Sequence, residues 1–182
     1  WGLAPFPPRK VLSSVATALG DIPRDVLANT GDAVGPPTLD ALCRQLTEKP
    51  YTLLHVVAHG RFRKSHNETI VYFVDRGGDL KPETSSDIVR RLQQLHGRHG
   101  LPRVGFLSTC ESASPVAEDP AEEHGGLGQR LVRDLGMPAV VAMTESVTPK
   151  TADPLSVEFY GKLREHGEVD RALREACAGL AD

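Results

Sequence analysis

Two residues that follow apolar runs have the chemistry of a nucleophile and its base. His59 follows the run "LLHVVA" and Cys110 follows the run "VGFLST". In an open α/β sheet, functional groups collect at the carboxyl ends of parallel strands, so both side chains are expected at one edge if these strands are neighbours. An imidazole within reach of a thiol accepts its proton and raises the fraction of thiolate near neutral pH.

The residue after the histidine adds a second element to this candidate site. Because Gly60 has no β-carbon, a backbone N–H can approach a reacting carbonyl closely there. Together with the N–H of Cys110, it is predicted to form an oxyanion hole for a tetrahedral intermediate. His59 and Cys110 are 51 positions apart, close to the roughly 50 that separate histidine and cysteine in caspases, although such spacings do not transfer between families.

The other cysteines, and the histidine inside the first run, are interpreted as packing residues. His55 lies within a predicted buried strand, and Cys43 and Cys177 each fall on the apolar face of a predicted helix. Three cysteines this widely spaced form neither a disulfide framework nor a CxxC metal pair. A reducing, cytoplasmic compartment and no cofactor are expected.

Several other classes of function fit the sequence less well. A zinc site built from His59, His66, Cys110 or His124 stays open as a minor alternative, since no pair has ligand-type spacing. The segment "GGLG" does not complete a dinucleotide or phosphate-binding pattern. The formal net charge of -3 gives no basic field for nucleic acid. Neither a leader peptide nor an apolar run of the roughly 20 residues that cross a bilayer is present, so no membrane partner is expected.

Helices and strands alternate along the chain, which predicts an α/β fold with a mostly parallel sheet flanked by helices on both faces. Helices are predicted at residues 10–20, 38–46, 84–95, 125–136, 152–167 and 169–180. Strands are predicted at residues 24–29, 51–58, 69–75, 102–109 and 138–143. Thr38 is a predicted N-cap, and Asp153 with Pro154 is predicted to begin the fifth helix.

The loop from Glu111 to Gly126 is the longest stretch without periodicity. It carries five carboxylates near the cysteine: Glu111, Glu118, Asp119, Glu122 and Glu123. Such a run is usually solvated surface. A sharper hypothesis is that these acids line the substrate groove and favour basic residues at the cleavage site. A third reading is a loop that orders when an activator binds.

Five segments resemble, in order and spacing, the CHAT domain, a bacterial branch of the caspase-like cysteine peptidases that is similar also to separases. They are "LLHVVAHG", "TIVYFVDRGGDL", "VGFLSTCES", "GGLGQRLVRDLGMPAVVAM" and "EFYGKLREHGEVDRALREA". The resemblance implies a caspase-like α/β fold and a cysteine endopeptidase acting on a protein or peptide substrate. Cys110 would be the nucleophile, His59 the base and later the acid, and the N–H groups of Gly60 and Cys110 the oxyanion donors.

The resemblance also implies a regulated protease of bacterial signalling or defence, with a sensor region or partner protein outside this chain. Residues 24–182 are expected to form the peptidase domain. Residues 1–23, which open on Trp1, are expected to be a truncated N-terminal segment with the first helix. "STCES" stands in place of the caspase pentapeptide, so a demand for aspartate in the substrate is not implied. A catalytically silent caspase-like interaction module remains the alternative.

Overall fold

The computed structural model describes residues 8–95, 100–109, 126–144 and 149–180. In these ranges the elements are α1 (Pro8–Leu19), α2 (Leu39–Glu48), β1 (Leu53–Val57), β2 (His59–Arg63), β3 (Glu68–Val74), β4 (Leu80–Thr84), α3 (Ser85–Gln93), β5 (Val104–Ser108), α4 (Leu127–Arg133), β6 (Ala139–Ala142), α5 (Pro149–His166) and α6 (Val169–Gly179). The predicted α/β class with a parallel sheet is confirmed.

The parallel sheet has the strand order β1-β5-β6, so the strand that precedes Cys110 occupies its centre. Leu53 pairs with Val104 and Val57 with Ser108, while β5 pairs in turn with β6. Phe106 and Leu107 of β5 are buried on opposite faces of this strand. A strand covered on both faces has continuous apolar character, which is why the sequence pattern identified β5 correctly.

A second sheet follows β1 directly and is antiparallel, in the order β2-β3-β4. β3 matches the predicted strand. β2 and β4 were not predicted as strands, because "HGRFR" and "LKPET" lack apolar alternation. β4 carries Pro82, which an edge strand tolerates because its N–H is not needed by the ladder. The turn between β3 and β4 is closed by Asp75, whose carboxylate accepts hydrogen bonds from the N–H groups of Gly77 and Asp79 at 2.8 and 3.0 Å.

Residues 27–146 form one compact unit, and its core lies between the strands and the helices α2, α3 and α4. The buried members are Leu39, Cys43, Leu46, Val71, Ile88, Val89, Leu92, Leu107, Leu127, Leu131, Leu135 and Met137. Two of the helices begin at threonine caps: Thr38 Oγ1 accepts from the N–H of Ala41 at 3.0 Å, as predicted, and Thr84 Oγ1 from that of Asp87 at 3.1 Å. The interpretation of Cys43 as a packing residue is confirmed, and desolvation raises the pKa of its thiol.

The other compact unit comprises residues 1–26 and 147–182, in which α5 packs against α1 and α6. The predicted first helix is confirmed: Val11 and Leu19 are buried, and Gly20 follows in the left-handed conformation with φ of 61°. Arg164 of α5 donates to the carbonyl oxygen of Ala18 at 3.3 Å and lies 3.4 Å from the carboxylate of Asp21. The predicted boundary after residue 23 stays a prediction.

Two local predictions are wrong. Residues 24–29 do not form a strand. Leu27 makes only an isolated bridge to Gly35, and the N–H of Ala28 donates to the Gly35 carbonyl at 3.0 Å, so the segment folds back on itself as a loop. α5 begins at Pro149, so Asp153 is not its N-cap and Pro154 lies inside the helix, where it cannot donate a backbone hydrogen bond.

The interpretation of Cys177 as a packing residue is also wrong, because its side chain is exposed. The buried stripe of α6 is made by Ala172 and Ala176, which are four positions apart and therefore on one face. Cys177 is one residue further, about 100° around the helix, and this rotation turns it out of the packed face.

Shortening a side chain in the centre of the parallel sheet is expected to lower the free energy of unfolding. Leu107 is 1% exposed, and Leu107→Ala should cost about 2–5 kcal/mol by lost burial and cavity formation. Urea denaturation of both proteins measures the difference.

Val34→Ala is the matched control, since Val34 is 49% exposed and its shortening should change the free energy of unfolding by no more than about 0.5 kcal/mol. Equal losses in the two variants would contradict the assignment of Leu107 to the core.

Candidate active site

The carboxyl ends of β1 and β5 lie side by side. The two strands pair in parallel from Leu53 with Val104 to Val57 with Ser108, and the N–H of Ala58 donates to the Ser108 carbonyl at 3.4 Å. The strands that precede His59 and Cys110 are therefore neighbours. This is the condition under which the sequence predicted the two side chains at one edge of the sheet.

His59 is the first residue of β2 and is separated from the end of β1 by one residue, Ala58. It is half-buried and pairs across the antiparallel ladder with Tyr72, while Gly60 pairs with Val71. The φ angle of Gly60 lies outside the left-handed region, so backbone conformation does not require a glycine there.

Several predicted site residues lie outside the described residues. They are Cys110 and the five acids of the following loop, Glu111, Glu118, Asp119, Glu122 and Glu123. His124 of the alternative zinc site lies outside them too. In the described ranges, no three histidine, cysteine, aspartate or glutamate side chains come together as metal ligands.

No helix in the described ranges is long and apolar enough to cross a membrane.

Thr109, the residue before Cys110, is enclosed by the protein. Its side chain is 1% exposed, and its hydroxyl has no hydrogen-bond partner among the residues that the structure describes. A buried hydroxyl without a hydrogen-bond partner costs free energy. The sequence offered no signal for it, since a threonine at the end of an apolar run is also typical of a solvated turn.

His55 lies in a different environment from His59. It pairs directly with Phe106, its ring centroid is 4.9 Å from that of the phenylalanine, and its Nε2 is 3.4 Å from Ser108 Oγ. Part of its surface remains accessible, but desolvation by the surrounding protein lowers its pKa to about 4. The imidazole is therefore neutral near pH 7. This confirms the interpretation of His55 as a structural residue of the sheet.

The family model for the CHAT domain matches residues 9–182, nearly the whole chain. The chain belongs to the CHAT domain family. The family is caspase-like and related to cysteine peptidases, and the parallel sheet with its surrounding helices is consistent with a caspase-like α/β fold. A comparison with curated proteins gave no match.

In this CHAT domain, the structure also shows features near His59 that sequence reasoning missed. The segment after the histidine is a strand, which places His59 in a ladder with Tyr72 and extends the backbone through Arg61 and Arg63. A pattern with a single apolar residue, Phe62, gave no strand signal. The segment His59–Arg63 is a strand because it pairs with the strongly apolar β3.

The stability of this CHAT domain is expected to fall in mild acid because of His55. Its pKa is about 4 in the folded chain, against an ordinary value of 6.5. Between these values the unfolded chain binds the additional proton, so the stability contribution is present above about pH 6.5 and is lost as the pH falls towards about 4. Urea denaturation at about pH 7 and about pH 5 should show a loss of about 2 kcal/mol from this residue.

His55→Leu removes the titrating group while keeping an apolar side chain of similar size, and His66→Asn is the control at an exposed histidine. The leucine variant should lose less stability than wild type over this pH interval, whereas the His66 variant should follow wild type. An undiminished acid loss in His55→Leu would refute the assignment.

Proposed function

We propose that this CHAT domain is a cysteine endopeptidase that cleaves a protein substrate through His59 and Cys110. The observation that carries the proposal is the parallel pairing of β1 with β5, which brings together the strand ends that precede the two residues. The neutral imidazole of His55 belongs to the sheet, so His59 is the histidine assigned as the base.

The register of the two strands gives further support. Partners in β1 and β5 differ by 51 positions throughout, as in Leu53 with Val104 and Val57 with Ser108. His59 and Cys110 differ by 51 positions as well. The two residues therefore hold equivalent sequence positions, each two residues beyond Val57 and Ser108, the last pair of the ladder. Proton transfer between them requires the imidazole and the thiol to lie within roughly hydrogen-bond reach.

The proposed reaction is acyl transfer through a thioester. His59 takes the proton of the Cys110 thiol, and the thiolate sulfur forms a bond to the carbonyl carbon of the substrate. The negative oxygen accepts hydrogen bonds from the N–H groups of Gly60 and Cys110. The C–N bond then breaks as His59 returns the proton to the amine, leaving the thioester.

Water completes the cycle. It gives a proton to His59 as its oxygen attacks the thioester carbonyl, the C–S bond breaks, and the proton returns to sulfur. The substrate is released as two shorter polypeptides. We extend the proposal to a regulated bacterial signalling or defence protease of the cytoplasm, controlled by a sensor region or partner outside this chain; this extension rests on the family resemblance.

The reactivity of Cys110 tests the proposal directly. At about pH 7 a free thiol is only a few per cent ionised, so pairing with His59 should speed alkylation by iodoacetamide by about tenfold. The measurement uses Cys177→Ser protein, since Cys177 is exposed and would also react, whereas Cys43 is buried with a raised pKa. His59→Ala should slow the reaction to the rate of a free thiol.

Peptide cleavage provides the second readout, and Cys110→Ala should reduce kcat by at least about 1,000-fold. His66→Ala is the matched histidine control, because His66 is exposed and should leave both rates unchanged. A Cys110 thiol that reacts at the free-thiol rate with or without His59, in a chain that cleaves no peptide, would favour the silent interaction module.

A further inference from the structure

Three cations follow His59 on the same strand and turn. Arg61 and Arg63 lie on β2, and Lys64 begins the 3₁₀ turn Lys64–His66 that follows. Arg61 and Lys64 are exposed and Arg63 is half-buried. We call Arg61, Arg63 and Lys64 the basic strip. No aspartate or glutamate occurs between residues 51 and 67, so the strip stands out locally on a chain whose formal net charge is -3.

Two members of the basic strip, Arg61 and Arg63, lie on the same face of β2 as His59. Side chains alternate along a strand, so His59, Arg61 and Arg63 share one face of the antiparallel sheet, while Gly60 and Phe62 face the other way. Two residues of strand span about 6.6 Å. The two guanidinium groups are therefore carried by backbone about 7 Å and about 13 Å from that of the histidine.

The charges of the basic strip are not neutralised by the parts of the chain that the structure describes. None of the three cations makes an ion pair there. Glu68 is the register partner of Arg63, but its carboxylate accepts from the N–H of Ser86 at 3.1 Å and lies 3.9 Å from the guanidinium of Arg130. The carboxylate best placed to neutralise Arg63 is thus directed to other groups.

We propose that the basic strip selects extended substrate segments that carry aspartate or glutamate two to four residues from the cleaved bond. This inference rests on the proposed function and names its substrate class. An extended polypeptide repeats its side chains on one face at the same spacing of about 6.6 Å, so alternate acidic side chains match Arg61 and Arg63. Their guanidinium groups bind carboxylates through paired N–H donors.

The inference opposes the hypothesis that the acids of the 111–126 loop favour basic substrates, so the two can be separated by one experiment. A positional peptide library compares Asp and Glu with Asn and Gln, and with Lys and Arg, at each place near the cleaved bond. Wild type should cleave acidic members about three- to tenfold faster than their neutral counterparts, the range that one or two exposed ion pairs provide.

The test variant is Arg61→Gln/Arg63→Gln, which should lose this preference, while Arg61→Lys/Arg63→Lys should retain part of it. The matched control is Arg44→Gln/Arg103→Gln, since both residues are exposed and neither lies on β2. This control removes the same two positive charges and should keep the preference for acidic peptides. Raising the salt to about 0.5 M should reduce the wild-type preference, because exposed charges are then screened.

A binding measurement makes the outcome independent of catalysis. In the Cys110→Ala background, fluorescence anisotropy follows a labelled peptide of alternating Glu and Ala, with alternating Gln and Ala as its neutral counterpart. Tighter binding of the acidic peptide, lost in Arg61→Gln/Arg63→Gln and kept in the Arg44 and Arg103 control, supports the inference. Equal binding of the two peptides, or a library preference for basic residues, overturns it.

Failure of the proposed function gives a different result. In that case the protein would cleave no peptide, and the Cys110 thiol would react only at the rate of a free thiol. If the acidic peptide still bound tightly and in a charge-dependent way, the peptidase proposal would be refuted, but the basic strip would remain a binding surface.

Discussion

The parallel ladder between β1 and β5 is the constraint on which the candidate site depends. Its hydrogen bonds fix both the neighbourhood and the register of two strands that are 51 positions apart in sequence. A slip of one residue would reverse the faces of every side chain on the moved strand. The burial of Phe106 and Leu107 on the two sides of β5 opposes such a slip, so the core of the unit also holds the ends of the strands in register.

The elements that the sequence predicted well are those whose burial gives a clear apolar pattern, either a periodic face or a continuous run. β5, β3 and the helices α2 and α3 carry apolar residues on defined faces, and Thr38 supplies a recognisable cap. The failures occur where tertiary partners decide the conformation. β2 and β4 have polar sequences and are strands because β3 lies between them, whereas residues 24–29 pair with no strand in the described part of the chain.

For the candidate site too, the features that follow from apolar patterns were predictable, and those that depend on tertiary contacts were not. Strand ends can be located from apolar runs, which identified His59 and distinguished it from His55 on the preceding strand. The depressed pKa of His55 required its surroundings in the folded sheet to be known. The same holds for the buried hydroxyl of Thr109 and for the shared face of His59, Arg61 and Arg63, because burial and strand pairing are properties of the fold rather than of a short segment.

Ala58 alone separates the parallel strand β1 from the antiparallel strand β2. A single residue contributes two soft torsion angles, φ and ψ, so the backbone has very few degrees of freedom between the two sheets. The parallel sheet determines where His59 starts, and the antiparallel sheet determines the direction in which it continues. The backbone of His59 is therefore positioned by both sheets, and a rotation of one sheet against the other would have to be absorbed by the torsion angles next to this residue.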